Sequence, residues 1–154
     1  MEKVLHRFIH NDADGIDPQA GLILDASGNL YGTTPGGNAT GDGVVFQLTP
    51  GTNGQWTEKL LYSGVNSFAA LIMDTTGNLY GTTSSHNGKV FELIPGSDGE
   101  WTKTVLWRFD GKDGLQPYAG LISDAAGNLY GTTIDGGAHT SCYGGCGTVF
   151  EVTP

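Results

Sequence analysis

Basic residues are scarce in this chain. Seven Lys and Arg stand against sixteen Asp and Glu, a formal charge of −9 at pH 7. Nucleic-acid binding needs clustered Lys and Arg against the phosphates, so no nucleic-acid partner is expected. Electrostatic attraction to anionic lipid is excluded on the same ground. The acidity reads as that of a protein kept in solution by its own charge. Long apolar runs are also lacking. None approaches the ~18 residues of a membrane helix, so no membrane insertion is expected. Met1–Phe8 does not read as a signal peptide, because its apolar stretch is short and broken by His6 and Arg7; a leader removed earlier stays open. Cysteine is limited to Cys142 and Cys146, within Ser141-Cys142-Tyr143-Gly144-Gly145-Cys146-Gly147. Without a second ligand pair at metal spacing, the two read as a local disulfide rather than half a zinc site. Free thiols are the alternative, and an oxidising compartment favours the bridge.

Catalytic signatures are missing too. There is no Gly-x-Ser-x-Gly elbow, no His-Glu-x-x-His and no phosphate loop. No catalytic residue, cofactor or metal is therefore assigned. The four histidines, His6, His10, His86 and His139, show no ligand spacing. His6 occupies a place held by Trp107 in a later, matching stretch, so packing is its expected role. A helical period appears nowhere.

Glycine is abundant, with 26 residues, and one stretch organises the chain. Asp25-Ala26-Ser27-Gly28-Asn29-Leu30-Tyr31-Gly32-Thr33-Thr34 returns as Asp74–Thr83 and again as Asp124–Thr133. The asparagines Asn29, Asn78 and Asn128 are spaced by 49 and 50 residues. A period of ~40–50 residues is that of propeller blades. Each copy reads as a short apolar strand, an Asp-x-x-Gly turn, a return strand, a Gly-rich loop and a third strand. These are Ala20–Leu24, Asn29–Thr34 and Val44–Leu48 in the first copy. The second has Ala69–Met73, Asn78–Thr83 and Lys89–Leu93, and the third Ala119–Ser123, Asn128–Thr133 and Thr148–Val152. A fourth strand, Trp56–Tyr62 or Trp101–Phe109, follows the first two copies. Apolar runs such as Ala20–Leu24 fit strands buried on both faces. The Gly and Asn residues are expected to form turns, and Tyr31, Tyr80 and Tyr130 to pack between repeats.

Gly21-Leu22-Ile23, Asp25-x-x-Gly28-Asn29-Leu30-Tyr31-Gly32-Thr33-Thr34, Gly36-Gly37 and Gly43-x-Val45-Phe46-x-Leu48-Thr49-Pro50 together resemble the GloVer-type tandem repeat of bacterial exported, choice-of-anchor proteins. The resemblance covers essentially the whole chain. It implies a propeller-like fold and an extracellular or cell-surface location, and it brings no catalytic residues. The second copy departs most, with Ser84-Ser85-His86-Asn87 in place of the Gly-Gly loop.

On that picture the fold is an all-β propeller of four-stranded blades in a single repeat domain, 1–154. An N-terminal outer strand spans 2–8, repeat one 18–62, repeat two 68–109, and repeat three 117–154 without an outer strand of its own. Val4–Phe8 matches Val105–Phe109, so the N-terminal strand is an outer one. Three blades are too few to close where ~4–8 are usual. Two chains would close a six-bladed ring, each N-terminal strand completing its partner's third blade, so the expected partner is a second copy of the chain.

Variable loops on a rigid scaffold are where function gathers. The candidate ligand-binding residues on them are Asp12, Asp14, Asp17, Tyr118, His139 and Tyr143. Asn11–Asp17 resembles a calcium loop but lacks the downstream Glu, so a solvated acidic turn is the default. The expected function is a non-enzymatic exported module binding a ligand, with glycan the candidate. One alternative is a polysaccharide-active hydrolase or lyase using Asp12, Asp14, Asp110 and Asp113. The other is a structural unit whose role is strand exchange itself.

Overall fold

The computed structural model describes residues 1–9, 13–38, 41–139 and 141–154. Among these there are thirteen strands and no helix. Each repeat folds into its own antiparallel sheet. The first has the order β2 (Ile23–Leu24), β3 (Leu30–Thr33), β5 (Val44–Pro50), β6 (Trp56–Ser63). The second repeats it with β7 (Ile72–Met73), β8 (Leu79–Thr83), β9 (Lys89–Pro95) and β10 (Trp101–Arg108). The third has three strands, β11 (Ile122–Ser123), β12 (Leu129–Thr133) and β13 (Thr148–Val152). A two-stranded ladder joins β1 (Ala13–Ile16) to β4 (Gly36–Asn38).

The Asp-x-x-Gly turns form as their sequence dictates. Gly28 N donates to Asp25 O at 3.1 Å, and Gly77 and Gly127 do the same to Asp74 and Asp124 at 3.2 Å. All three glycines take φ between 85 and 92°, the left-handed region that a Cβ disfavours. The strand alternation holds as well. Leu30, Phe46 and Leu48 share one face of the first sheet, while Tyr31 and Val45 share the other.

Two expectations are corrected. Ala13–Ile16 and Gly36–Asn38, in stretches expected to be loops, form the unforeseen β1–β4 ladder at one end of the first sheet. The short apolar runs pair over only two residues each, and the first is not buried on both faces, with Leu22 and Leu24 exposed. The first sheet has a neighbouring sheet on one side only. Residues 2–8 form no ladder with any strand among the described residues. The strand edge they would match, on β13, lies in the third sheet, whereas these residues lie against the first.

The core is divided between the sheet interfaces. Tyr31, Val45, Leu61 and Val65 pack against Leu71, Leu79, Phe91 and Leu93 between the first and second sheets. Tyr80 and Val90 pack against Leu121, Leu129 and Val152, with Phe109, between the second and third. A smaller cluster, Val44, Phe46 and Leu48, lies on the far face of the first sheet and is covered by Phe8.

Candidate loop-face binding surface

Alternating strand direction sends the variable loops to one end of the sheets and the uniform turns to the other. At the loop end, backbone and side-chain bonds knit the loops together. Ser84 N donates to Asn66 O at 2.8 Å, and Asn66 Nδ2 donates to Pro35 O at 2.9 Å. Gln116 N donates to Asn87 O at 3.0 Å, and Leu115 N to Asp135 O at 2.8 Å. The loops of all three repeats thus form one connected surface.

The candidate residues are distributed unevenly over it. Tyr118 stacks edge-on against Phe68 from the neighbouring repeat, centroids 5.1 Å apart, and is exposed. Tyr143 is fully exposed in the loop closed by the Cys142–Cys146 disulfide, whose Cα atoms are 5.2 Å apart. His139 is exposed in the same long loop. Asp17 is exposed with φ 57°. Asp12 and His10 lie outside the described residues. Asp14 turns inward: its carboxylate accepts from Ile9 N at 2.8 Å and Gly15 N at 2.9 Å. Asp110 and Asp113 are similarly engaged, Asp110 by Lys112 N and Asp113 by Asp110 N and the indole of Trp107.

Asp14 also belongs to a cluster with His6 and Glu58, the one group of three metal-ligating side chains among the described residues. His6 Nε2 stands 3.5 Å from Asp14 Oδ2 and 3.6 Å from Glu58 Oε2. Burial pushes the Glu58 carboxyl up to about 6; His6 opposes that shift and Asp14 adds to it. One imidazole and two carboxylates do not make the all-oxygen shell of about six to eight ligands that calcium takes.

Sequence reasoning missed a cleft on the loop face lined by His86, Asn87, Gly88, Lys89, Arg108 and Phe109, with a volume of about 390 Å³. Lys89 and Arg108 are directly opposite in the β9–β10 ladder. Like charges in that position repel. The effect reaches Lys103, whose pKa is lowered by burial first and then by Lys89 and Arg108. No acidic side chain forms a salt bridge with Lys89 or Arg108 among the described residues. The signal was present in the sequence, since Lys89 and Arg108 flank the β9–β10 hairpin symmetrically, but it needed the register to be read.

The turn end has two clefts between successive sheets, of about 610 and 300 Å³. Their carboxylates are already occupied. Asp25 accepts from Ser27 N, Asn29 N, Asn29 Nδ2 and Tyr31 OH, and Asp74 and Asp124 repeat the pattern. At Asp25 and Asp74 burial works against ionisation, but these bonds outweigh it and hold the carboxyls below their usual value. At Asp124 the bond from Asn128 leads. Saturated acids of this kind build turns and offer little to a ligand.

A family model described as the Gloeobacter/Verrucomicrobia repeat matches residues 2–154. No curated protein matches the chain.

Proposed function

The chain belongs to the Gloeobacter/Verrucomicrobia repeat family, and on that premise we propose that it is a non-enzymatic, extracellular β-propeller module that binds a short acidic glycan on its loop face. The observation that carries the reading is the cleft holding Lys89, Arg108 and His86 on a chain of net charge −9. A carboxylate or sulfate placed between Lys89 and Arg108 would relieve their mutual repulsion and gain charge-assisted hydrogen bonds. The Tyr118–Phe68 pair belongs to loops bonded to the cleft's own segment, through Gln116 and Asn87. Aromatic faces beside a charged pocket suit a sugar ring carrying an acid group. The acidic remainder of the surface disfavours long polyanions, which need a basic stripe. The local disulfide fits an oxidising compartment.

The test is an array of neutral, uronate-bearing and sulfated oligosaccharides. Binding is expected only to the acidic ones, and weaker at higher salt. Arg108→Ala should weaken it roughly 10- to 100-fold, the loss of a charged hydrogen bond of about 1.5–3 kcal/mol. Because Lys89 and Arg108 repel each other, this variant should keep its thermal midpoint, which separates lost binding from lost folding. Absence of binding to every acidic glycan, or equal binding by Arg108→Ala, would overturn the reading.

A further inference from the structure

Residues 2–8 pair with no strand, yet they sit on the first sheet as β6 sits on the second and β10 on the third. Four contacts repeat. Lys3 Nζ donates to Gly54 O at 2.6 Å, as Lys59 Nζ does to Gly99 O at 2.7 Å. His6 faces Glu58 at 3.6 Å, as Tyr62 faces Lys103 at 4.7 Å. His6 stands 3.5 Å from Asp14, where Trp107 Nε1 bonds Asp113 at 2.7 Å. Phe8 meets Phe46 edge-on at 5.1 Å, as Phe109 meets Phe150 at 5.0 Å. The segment therefore occupies the seat of an outer strand belonging to a preceding sheet.

The third sheet presents the converse. β13 pairs with β12 alone, so its other edge, the one that β9 gives to β10, has no partner among the described residues. The exposed face of this sheet carries the residues that elsewhere fill sheet interfaces. Val45 and Val90 are fully buried, whereas their counterpart Val149 is 81% exposed. Thr33 and Thr82 are buried and donate to the next repeat, at Ala69 O and Pro117 O; the counterpart Thr132 is exposed. At the first sheet the reverse side is open. Leu71 and Leu121 are 1% and 3% exposed, and Leu22 is 50% exposed. It lines an apolar groove of about 340 Å³ between residues 4–8 and the first sheet.

We propose that a second copy of this chain completes the third sheet: its residues 2–8 become the fourth strand on β13, and its first sheet packs on the Ile122–Tyr130–Val149 face, in a closed two-fold dimer. The β9–β10 register carries over directly. It sets Glu2 opposite Val152, Lys3 opposite Glu151, Val4 opposite Phe150 and His6 opposite Val149. Lys3 and Glu151 then form an oppositely charged cross-strand pair, where β5–β6 has Gln47 opposite Lys59. The side chains at the new interface are the counterparts of those at the two interfaces already formed within the chain. Two copies bring six repeat sheets, within the ~4–8 of closed rings, and cover the open edge of β13 in each chain. The interface does not depend on the ligand reading above.

Light scattering after size exclusion should give a sharp species at twice the 16.1 kDa chain mass. Val149→Lys, at a site exposed in the single chain, should convert it to monomer with unchanged β-sheet circular dichroism. The chain has no free cysteine among its described residues, so Lys3→Cys combined with Glu151→Cys reports the register. The double variant should run as a covalent dimer without reductant, and neither single variant should. A ladder of larger species would overturn the closed dimer. A wild-type monomer at the highest soluble concentration, or no crosslinking in the double variant, would overturn the interface.

Discussion

Gly32, Gly81 and Gly131, at the centre of each Leu-Tyr-Gly-Thr-Thr, are required by their neighbours. A Cβ on Gly81 would stand 2.8 Å from Phe91 Cζ and 2.9 Å from Leu71 Cδ2. The same Phe and Leu positions close over Gly32 and Gly131. The strand lies under an aromatic ring contributed by the strand beside it, so backbone alone fits. Gly81→Ala should lower stability by about 1–3 kcal/mol through overpacking, read as a shift of the denaturation midpoint at constant slope. An unchanged midpoint would show that the ring moves aside freely. The repeated Asp–Asn–Tyr set is similarly local. Its Asp and Asn were legible as turn formers, but the bond from Tyr31 OH to Asp25 across six residues was not. That bond depends on the strand leaving the turn with Tyr on the side of the carboxylate.

At the scale of elements, residues 2–8 and the segment that ends β10 each hand a Phe to the sheet they lie on. Phe109, buried between the second and third sheets, and Phe8, partly covered on the first, make the same edge-on contact. Phe109→Ala should cost about 3–5 kcal/mol, as other buried Phe truncations do. Phe8→Ala should cost clearly less when both are measured by chemical denaturation in the monomeric Val149→Lys background, because solvent already reaches Phe8. Equal costs would mean that residues 2–8 are as firmly held as a paired strand. The return, third and fourth strands of the first two repeats were legible from alternation and turn residues. The β1–β4 ladder was not, since Ala13–Ile16 and Gly36–Asn38 carry no strand pattern and pair only because two loops share one end of a sheet.

Across the whole molecule, four aspartates and the single Glu58 pull stability in opposite directions with pH. Asp25, Asp74, Asp110 and Asp124 are held below their ordinary 3.8. Their stabilising contribution is complete above that value and is lost as pH falls through the lowered ones. Glu58 is raised from 4.5 to about 6, so the folded chain binds its proton more tightly than the unfolded chain. Its contribution to stability should rise as pH falls from about 6 to 4.5, and its cost is fully present above that window. Thermal midpoints across pH 3–7 should therefore show a Glu58-dependent rise between 6 and 4.5 that Glu58→Gln abolishes, followed by a fall below 3.8 in both proteins. A Glu58→Gln profile parallel to wild type would remove Glu58 as the cause.

The sequence by itself determined the repeat, through its period along the chain, and the all-β class, the turns and the alternation of the return and third strands, because these last three are set by residues within a few positions of one another. Tertiary structure decided the rest. Whether Val45 or Val149 is core or surface depends on which sheet stands beside it, and identical motifs differ completely in exposure. The convergence of Lys89 and Arg108, and of His6, Asp14 and Glu58, depends on register and on which loops share an end. Those are distances between repeats, and a period along the chain does not contain them.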